Sequence, residues 1–169
     1  VALIHLDAGV VIGFLDANDG HHRAATEALG DSLQSGDDLA VAASAFAECL
    51  VGPSRRGVDA VRVVTDLFER LPIRVVDLGE DVALRAAALR AKHGALRLPD
   101  ALVIATAVCD GAHRLITTDR RWPTARKLGL ARQEIVPLWW RWLGRLDIVP
   151  FMEVGFRQDI VPLSAGCGR

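Results

Sequence analysis

With 169 residues, 51% of them hydrophobic, the chain is long enough to bury one sizeable core and too short for two ordinary domains. Twenty basic against 21 acidic residues give a formal charge of −1, which excludes a global electrostatic pull on nucleic acid and leaves any such affinity to locally placed arginines. Cys49, Cys109 and Cys167 are scattered, odd in number and without CxxC or Cys/His ligand spacing, which argues against a disulfide framework or a zinc site and fits a reducing cytoplasm.

In chain order, Val1 to Leu6 reads as a short buried strand broken by Asp7 and Gly9, after which Val10, Val11, Phe14 and Leu15 resume at helical spacing. An Asp/Asn/Gly-rich loop over 16–20 leads to a second helix from about His22 to Leu33. Leu39 to Ala43 is the second strand. Ser44 to Val51 reads as a helix stopped by Gly52 and Pro53, and Val58 to Leu71 as an amphipathic helix ended by Pro72. Ile73 to Val76 is the third strand. Asp81 to His93 is an alanine-rich helix with Gly94 as its expected C-terminal cap, and Pro99 to Val108 a helix with proline in its first turn. His113 to Thr117 is the fourth strand, Pro123 to Leu128 a short helix closed by Gly129, and Glu134 to Val136 a fifth strand candidate.

This alternation predicts an α/β domain with a mostly parallel central sheet of four or five strands and helices on both faces. No apolar stretch reaches the length of a membrane span, and no basic leader segment opens the chain, so a soluble cytoplasmic protein that does not engage membranes is expected. The domain is expected to occupy residues 1–136. Residues 137–169 form a tail of different character, with Trp139, Trp140 and Trp142 and three Ile-Val-Pro copies starting at Ile135, Ile148 and Ile160. Edge strands packed on the domain, an arm for a partner and sequence foreign to the domain are all open readings of the tail.

In parallel sheets the site lies beyond the carboxyl ends of the strands. Asp7 ends the first strand, Glu48 lies in the helix after the second, Asp100 opens the helix after Leu98-Pro99, and Asp119 follows the fourth strand. Singly, each is explained as a helix cap, a first-turn acid or a solvated helix residue. Jointly they are expected to converge as a carboxylate cage at one end of the sheet, and clustered like charges call for a cation. Oxygen-only ligands select Mg²⁺ or Mn²⁺ and, with it, phosphodiester cleavage by metal-activated water.

Val1-Ala-Leu-Ile-His-Leu-Asp7, Ser44-Ala-Phe-Ala-Glu48, Leu98-Pro-Asp-Ala-Leu-Val-Ile-Ala-Thr-Ala107 and Leu115-Ile-Thr-Thr-Asp119 match in order the acidic motifs of PIN domains. The chain resembles the VapC-like toxins of that family most, over roughly residues 2–136, and the third motif is the most specific. The resemblance implies a metal site of Asp7, Glu48, Asp100 and Asp119. It also implies an endoribonuclease that leaves a 5′-phosphate, a homodimer, and a VapB-like antitoxin that inserts a peptide beside the acids. A catalytically silent PIN-like scaffold binding RNA or protein is the alternative.

Two positions depart from the family pattern. Gly9 stands where members usually carry a hydroxyl or amide, and Thr118 where many carry Asn. Weaker candidates surround the acids: Ser44, as an orienting hydroxyl or a plain helix N-cap, and Arg120 and Arg121, as phosphate contacts or solvated loop residues. Arg55 and Arg56 are more remote, and His21 and His22 read as surface or packing residues. A haloacid-dehalogenase-like phosphatase needs a second acid where Gly9 stands, and a response-regulator receiver needs an acidic pair near the first strand and a better-placed lysine than Lys127.

Overall fold

The computed structural model describes residues 1–130 and 133–138. Within them the order is β1 (Leu3–Leu6), α1 (Ala8–Leu15), α2 (His22–Gln34), β2 (Asp38–Ala42), α3 (Ala43–Ser54), α4 (Val58–Arg70), β3 (Ile73–Val76), α5 (Glu80–Lys92), α6 (Leu98–Cys109), β4 (Arg114–Thr117), α7 (Ala125–Leu128) and β5 (Glu134–Pro137). The tail beyond Leu138, with its tryptophans and two later Ile-Val-Pro copies, lies outside the described residues.

All five strands are parallel, in the order β3-β2-β1-β4-β5. Parallel neighbours cannot be joined by a tight turn, so each step needs a crossover, and right-handed crossovers place α1 to α4 on one face and α5 and α6 on the other. The chain moves outward from β1 to β3, then returns to lay β4 on the opposite side of β1. The order therefore reverses between β1 and β4, and a crevice opens beyond their carboxyl ends.

β1 is central and its side chains are the least exposed, with Ile4 and Leu6 at 0%. Leu39 and Val41 on β2, Leu115 and Ile116 on β4 and Leu29 on α2 complete the core around it. Helix α6 starts with proline in its first turn, where the missing N–H costs nothing. Its buried residues Ala101, Ile104 and Ala105 are mostly small, which brings its backbone close to the sheet. That close approach carries Asp100, in its first turn, to the crevice end.

The structure corrects three local expectations. Helix α3 does not stop at Gly52 but runs through Pro53 to Ser54. Proline in the last turn forfeits a single helical bond, and the chain closes with turn bonds from Arg55 N to Gly52 O (3.2 Å) and Arg56 N to Pro53 O (2.8 Å). Helix α5 ends on His93 at φ −121° and ψ 81°, and Gly94 adopts no left-handed cap; Leu96 N bonds back to His93 O instead. Ser44 is not an N-cap, because Ala42 holds that position and Ser44 already lies inside α3. By contrast, α7 closes on Gly129 at φ 73°, the left-handed geometry a glycine supplies without strain.

Candidate active site

Asp7 is the best-defined acid. It caps α1 by accepting from Ala8 N at 2.8 Å through Oδ1, and its own amide is held by Ile116 O at 2.9 Å. Thr117 Oγ1 donates to Asp7 Oδ2 at 2.8 Å, a side-chain bond across the reversal point between β1 and β4. Burial pushes the Asp7 carboxyl up to about 6, and the charges of Glu48 and Asp100 push in the same direction, against the bonds from Thr117 and Ala8. Asp7, Glu48 and Asp100 thus share one electrostatic field.

Glu48 enters from α3, whose N-terminus follows β2 without an intervening loop. One helical turn before it, the Ser44 hydroxyl is buried with no hydrogen-bond partner. Next to Glu48, Cys49 is pushed up to about 12 by burial and by the charges of Asp7 and Glu48, so its thiol stays protonated and is no nucleophile. Asp100 is paired with Arg97, whose Nε lies 3.2 Å from Oδ2. Asp119 accepts from the Arg121 amide (2.8 Å) and from Nε and Nη2 of its guanidinium (3.0 and 2.7 Å), which hold its carboxyl below the usual range despite some burial.

All four acids lie at the carboxyl end of the sheet. Even so, among the described residues no three His, Cys, Asp or Glu side chains stand close enough to share a metal ion. Two of the four are paired with arginines instead. The donor set nevertheless suits a hard divalent cation. It is oxygen-only, it includes a buried carboxylate whose charge is disfavoured by its neighbours, and it has an unpartnered buried hydroxyl beside it.

The two departures from the family pattern turn out to be neighbours. A Cβ added to Gly9 would overlap Thr118 Oγ1 and come within 3.3 Å of Thr118 Cβ. The Thr118 hydroxyl therefore stands where a side chain on residue 9 would begin. Arg120 is exposed on the same loop as Arg121. Arg55 and Arg56 follow the C-terminal end of α3, about two helical turns beyond Glu48, and His22 Nδ1 lies 2.9 Å from Gly13 O, a packing role.

Two contributors escape a reading of the sequence. Thr117 shows itself only as a strand-terminal hydroxyl before an acid, and its bond to Asp7 spans 110 positions. Arg97 carried a signal in its spacing of three from Asp100, the reach of a helical ion pair. A separate cavity of about 550 Å³, lined by Asp31, Ser32, Arg114 and Val136 among others, contains none of the four acids.

A family model of the PIN domain matches residues 4–128. Among solved structures, a toxin-antitoxin complex from Klebsiella pneumoniae aligns at 23% identity and TM-score 0.55, covering 72% of this chain and 88% of the other. VapC20 from Mycobacterium tuberculosis, described as a Sarcin-Ricin loop cleaving toxin, aligns at 18% identity and TM-score 0.58, covering 70% and 91%. VapBC2 from Rickettsia felis, bound to a DNA fragment from its promoter, aligns at 15% identity and TM-score 0.61, covering 79% and 98%. At these identities the likeness is one of fold. A comparison with curated protein sequences finds no match.

Proposed function

The chain belongs to the PIN-domain family, and on that premise we propose that it is a Mg²⁺- or Mn²⁺-dependent endoribonuclease acting as the toxin of a toxin-antitoxin pair. The observation that carries the reading is Asp7. Its carboxylate is fixed at the strand reversal by Ala8 and Thr117, yet its charge is disfavoured by burial and by Glu48 and Asp100. A fold keeps such an arrangement when a ligand repays it, and a hard cation does so.

A bound divalent ion supplies water activation for in-line attack and neutralises charge on the phosphoryl oxygens. Asp7, Glu48, Asp100 and Asp119 are the residues that would hold it. Thr117 keeps the Asp7 carboxylate oriented, and Asp119 N donating to Thr117 Oγ1 at 3.0 Å ties the fourth acid to the same hydroxyl. Ser44, whose hydroxyl is buried and unpartnered one turn before Glu48, and Thr118, whose hydroxyl lies against Gly9, are the proposed supporting hydroxyls. RNA is the proposed substrate class, supported by the cleaving toxin among the structural relatives. A VapB-like antitoxin is the proposed partner, supported by the toxin-antitoxin complexes that share the fold; a homodimer is proposed from the family resemblance alone.

The test is cleavage of a structured RNA by purified protein in EDTA and after Mg²⁺ or Mn²⁺ is restored. Activity should vanish and return. Asp100→Asn should reduce it on the order of a hundredfold or more while the protein stays folded, since one anionic ligand is lost with little change of shape. Undiminished cleavage in EDTA, or wild-type rates in the Asn variant, would overturn the proposal; absence of any metal-stimulated cleavage would leave the non-cutting scaffold.

A further inference from the structure

Two of the four acids carry counter-ions from this chain itself. Arg121 sets Nε on Asp119 Oδ1 and Nη2 on Asp119 Oδ2, so its planar fork engages both carboxylate oxygens at once. Arg97 sits on Asp100 Oδ2. The pairs interlock, since the Arg97 charge acts on Asp119 and the Asp100 charge on Arg121. Asp7 is different: its oxygens are engaged by Ala8 N and Thr117 Oγ1.

We propose that Arg97 and Arg121 form a cation latch. They neutralise Asp100 and Asp119 in the metal-free protein, are displaced as a divalent ion loads, and then grip the RNA backbone phosphates beside the acids. This deepens the metal-dependent reading above and rests on it.

Three features support exchange over a fixed structural role. First, Arg121 engages both Asp119 oxygens and Arg97 one oxygen of Asp100, so the guanidinium groups and a cation compete for the same oxygens. Second, the side chains of Arg97 and Arg121 are 65% and 75% exposed, and exposed ion pairs open at little cost. Third, each arginine is tethered within three residues of its acid, so release leaves it close at hand. A planar guanidinium suits phosphate as well as it suits carboxylate. The latch also answers an electrostatic difficulty, because four acids in a chain of net charge −1 repel a polyanion unless cationic groups stand at the same mouth.

The experiment measures Mn²⁺ binding by calorimetry, without RNA, for wild type, Arg97→Ala, Arg121→Ala, the double variant, Arg121→Lys and Arg62→Ala. Each latch variant should bind Mn²⁺ roughly threefold more tightly, and the double variant about tenfold, the size expected from releasing exposed ion pairs. Arg121→Lys keeps the charge but loses the fork and should still gain affinity. Arg62→Ala, which removes an exposed arginine paired with Asp59 on α4, should not. In a second assay, affinity for a labelled single-stranded RNA is measured in EDTA and in Ca²⁺. Wild type should tighten on Ca²⁺ addition and Arg121→Ala should lose that gain.

Unchanged or weaker Mn²⁺ binding by the alanine variants overturns the latch, as does a gain in Arg121→Ala that is absent from Arg121→Lys or matched by Arg62→Ala, either of which would mark plain long-range electrostatics. Equal RNA tightening in wild type and Arg121→Ala overturns the phosphate half. If wild type itself binds no Mn²⁺, and Asp119→Asn behaves identically, it is the metal-dependent reading that has failed, and the latch falls with it.

Discussion

Gly9 and Thr118 share one volume: the space into which a Cβ on residue 9 would project is occupied by the Thr118 hydroxyl. Gly9 lies inside α1, where alanine would ordinarily stabilise by about 0.5–1 kcal/mol. Here Gly9→Ala should instead destabilise, by about 1–3 kcal/mol, because the neighbour must move. In a Thr118→Ala background the penalty should fall, and the two changes should couple by about 1 kcal/mol in a double-mutant cycle read by urea denaturation. Additive effects would show that the two positions are independent.

Asp7 gives the metal-free protein a particular pH dependence. Its carboxyl is raised from 3.8 to about 6, so between those values the folded protein keeps a proton the unfolded chain has released. Stability from this group is therefore full below the unfolded value and lost as pH rises through about 6. Asp7→Asn should melt higher than wild type in EDTA at pH 7.5, by an amount on the order of 2 kcal/mol, and the advantage should shrink towards pH 4. Mn²⁺ should raise the wild-type melting temperature and leave the variant nearly unmoved. A melting difference that does not vary with pH would assign Asp7 to capping alone.

The proposed division into a nuclease domain over 1–136 and a tail over 137–169 implies that most of the tail is dispensable for folding. The fold adds a condition. β5 pairs with β4 through Pro137, and Leu138 immediately after it is 0% exposed within the core. A chain ended after Pro137 loses that side chain and should be destabilised by about 2–4 kcal/mol, the scale of emptying a core leucine site. Ending after Leu138 should preserve the fold, as judged by circular dichroism and a cooperative melt. If both truncations unfold, the tail belongs to the domain.

The sequence showed most where punctuation and period coincide. Asp7, Asp100 and Asp119 each stand at a break between a strand or loop and the element that follows, and Glu48 follows Ser44 by one helical turn, so the acids could be placed at one end of the sheet before any coordinates. What stayed hidden depends on tertiary approach. The Thr117 bond to Asp7 and the contact of Thr118 with Gly9 join segments that meet only because β4 is laid beside β1. Gly94 misled for a related reason. Glycine permits a left-handed cap without requiring one, and the chain after α5 was closed by Leu96 bonding to His93. Ser44 misled because β2 runs straight into α3, leaving Ala42 at the cap.

The last prediction concerns His5, which is fully buried at the centre of β1. In register across the sheet it lies beside Ala40 of β2, and Ala40 lies beside Arg74 of β3. Because Ala40 is small, both long side chains reach the same acceptor: His5 Nε2 is 2.7 Å and Arg74 Nη2 2.8 Å from Oδ2 of Asp110, at the end of α6. Burial lowers the His5 pKa below 6.5; Asp110 opposes this and Arg74 adds to it. Nδ1 has no partner, so a proton there would be buried without an acceptor. The unfolded chain therefore takes up the proton first as pH falls. Stability from this group is present above 6.5 and lost as pH drops towards the depressed folded value. This slope is opposite to that of Asp7, so the measurement belongs in Asp7→Asn protein. There, denaturation between pH 7.5 and 5 should show declining stability that His5→Gln flattens, and the His5 ring proton should titrate below 6.5 by NMR. Arg74→Ala removes one repelling charge and should move that titration upward. Titration at or above 6.5 in the Asp7→Asn protein would show that Asp110, not burial, governs the ring.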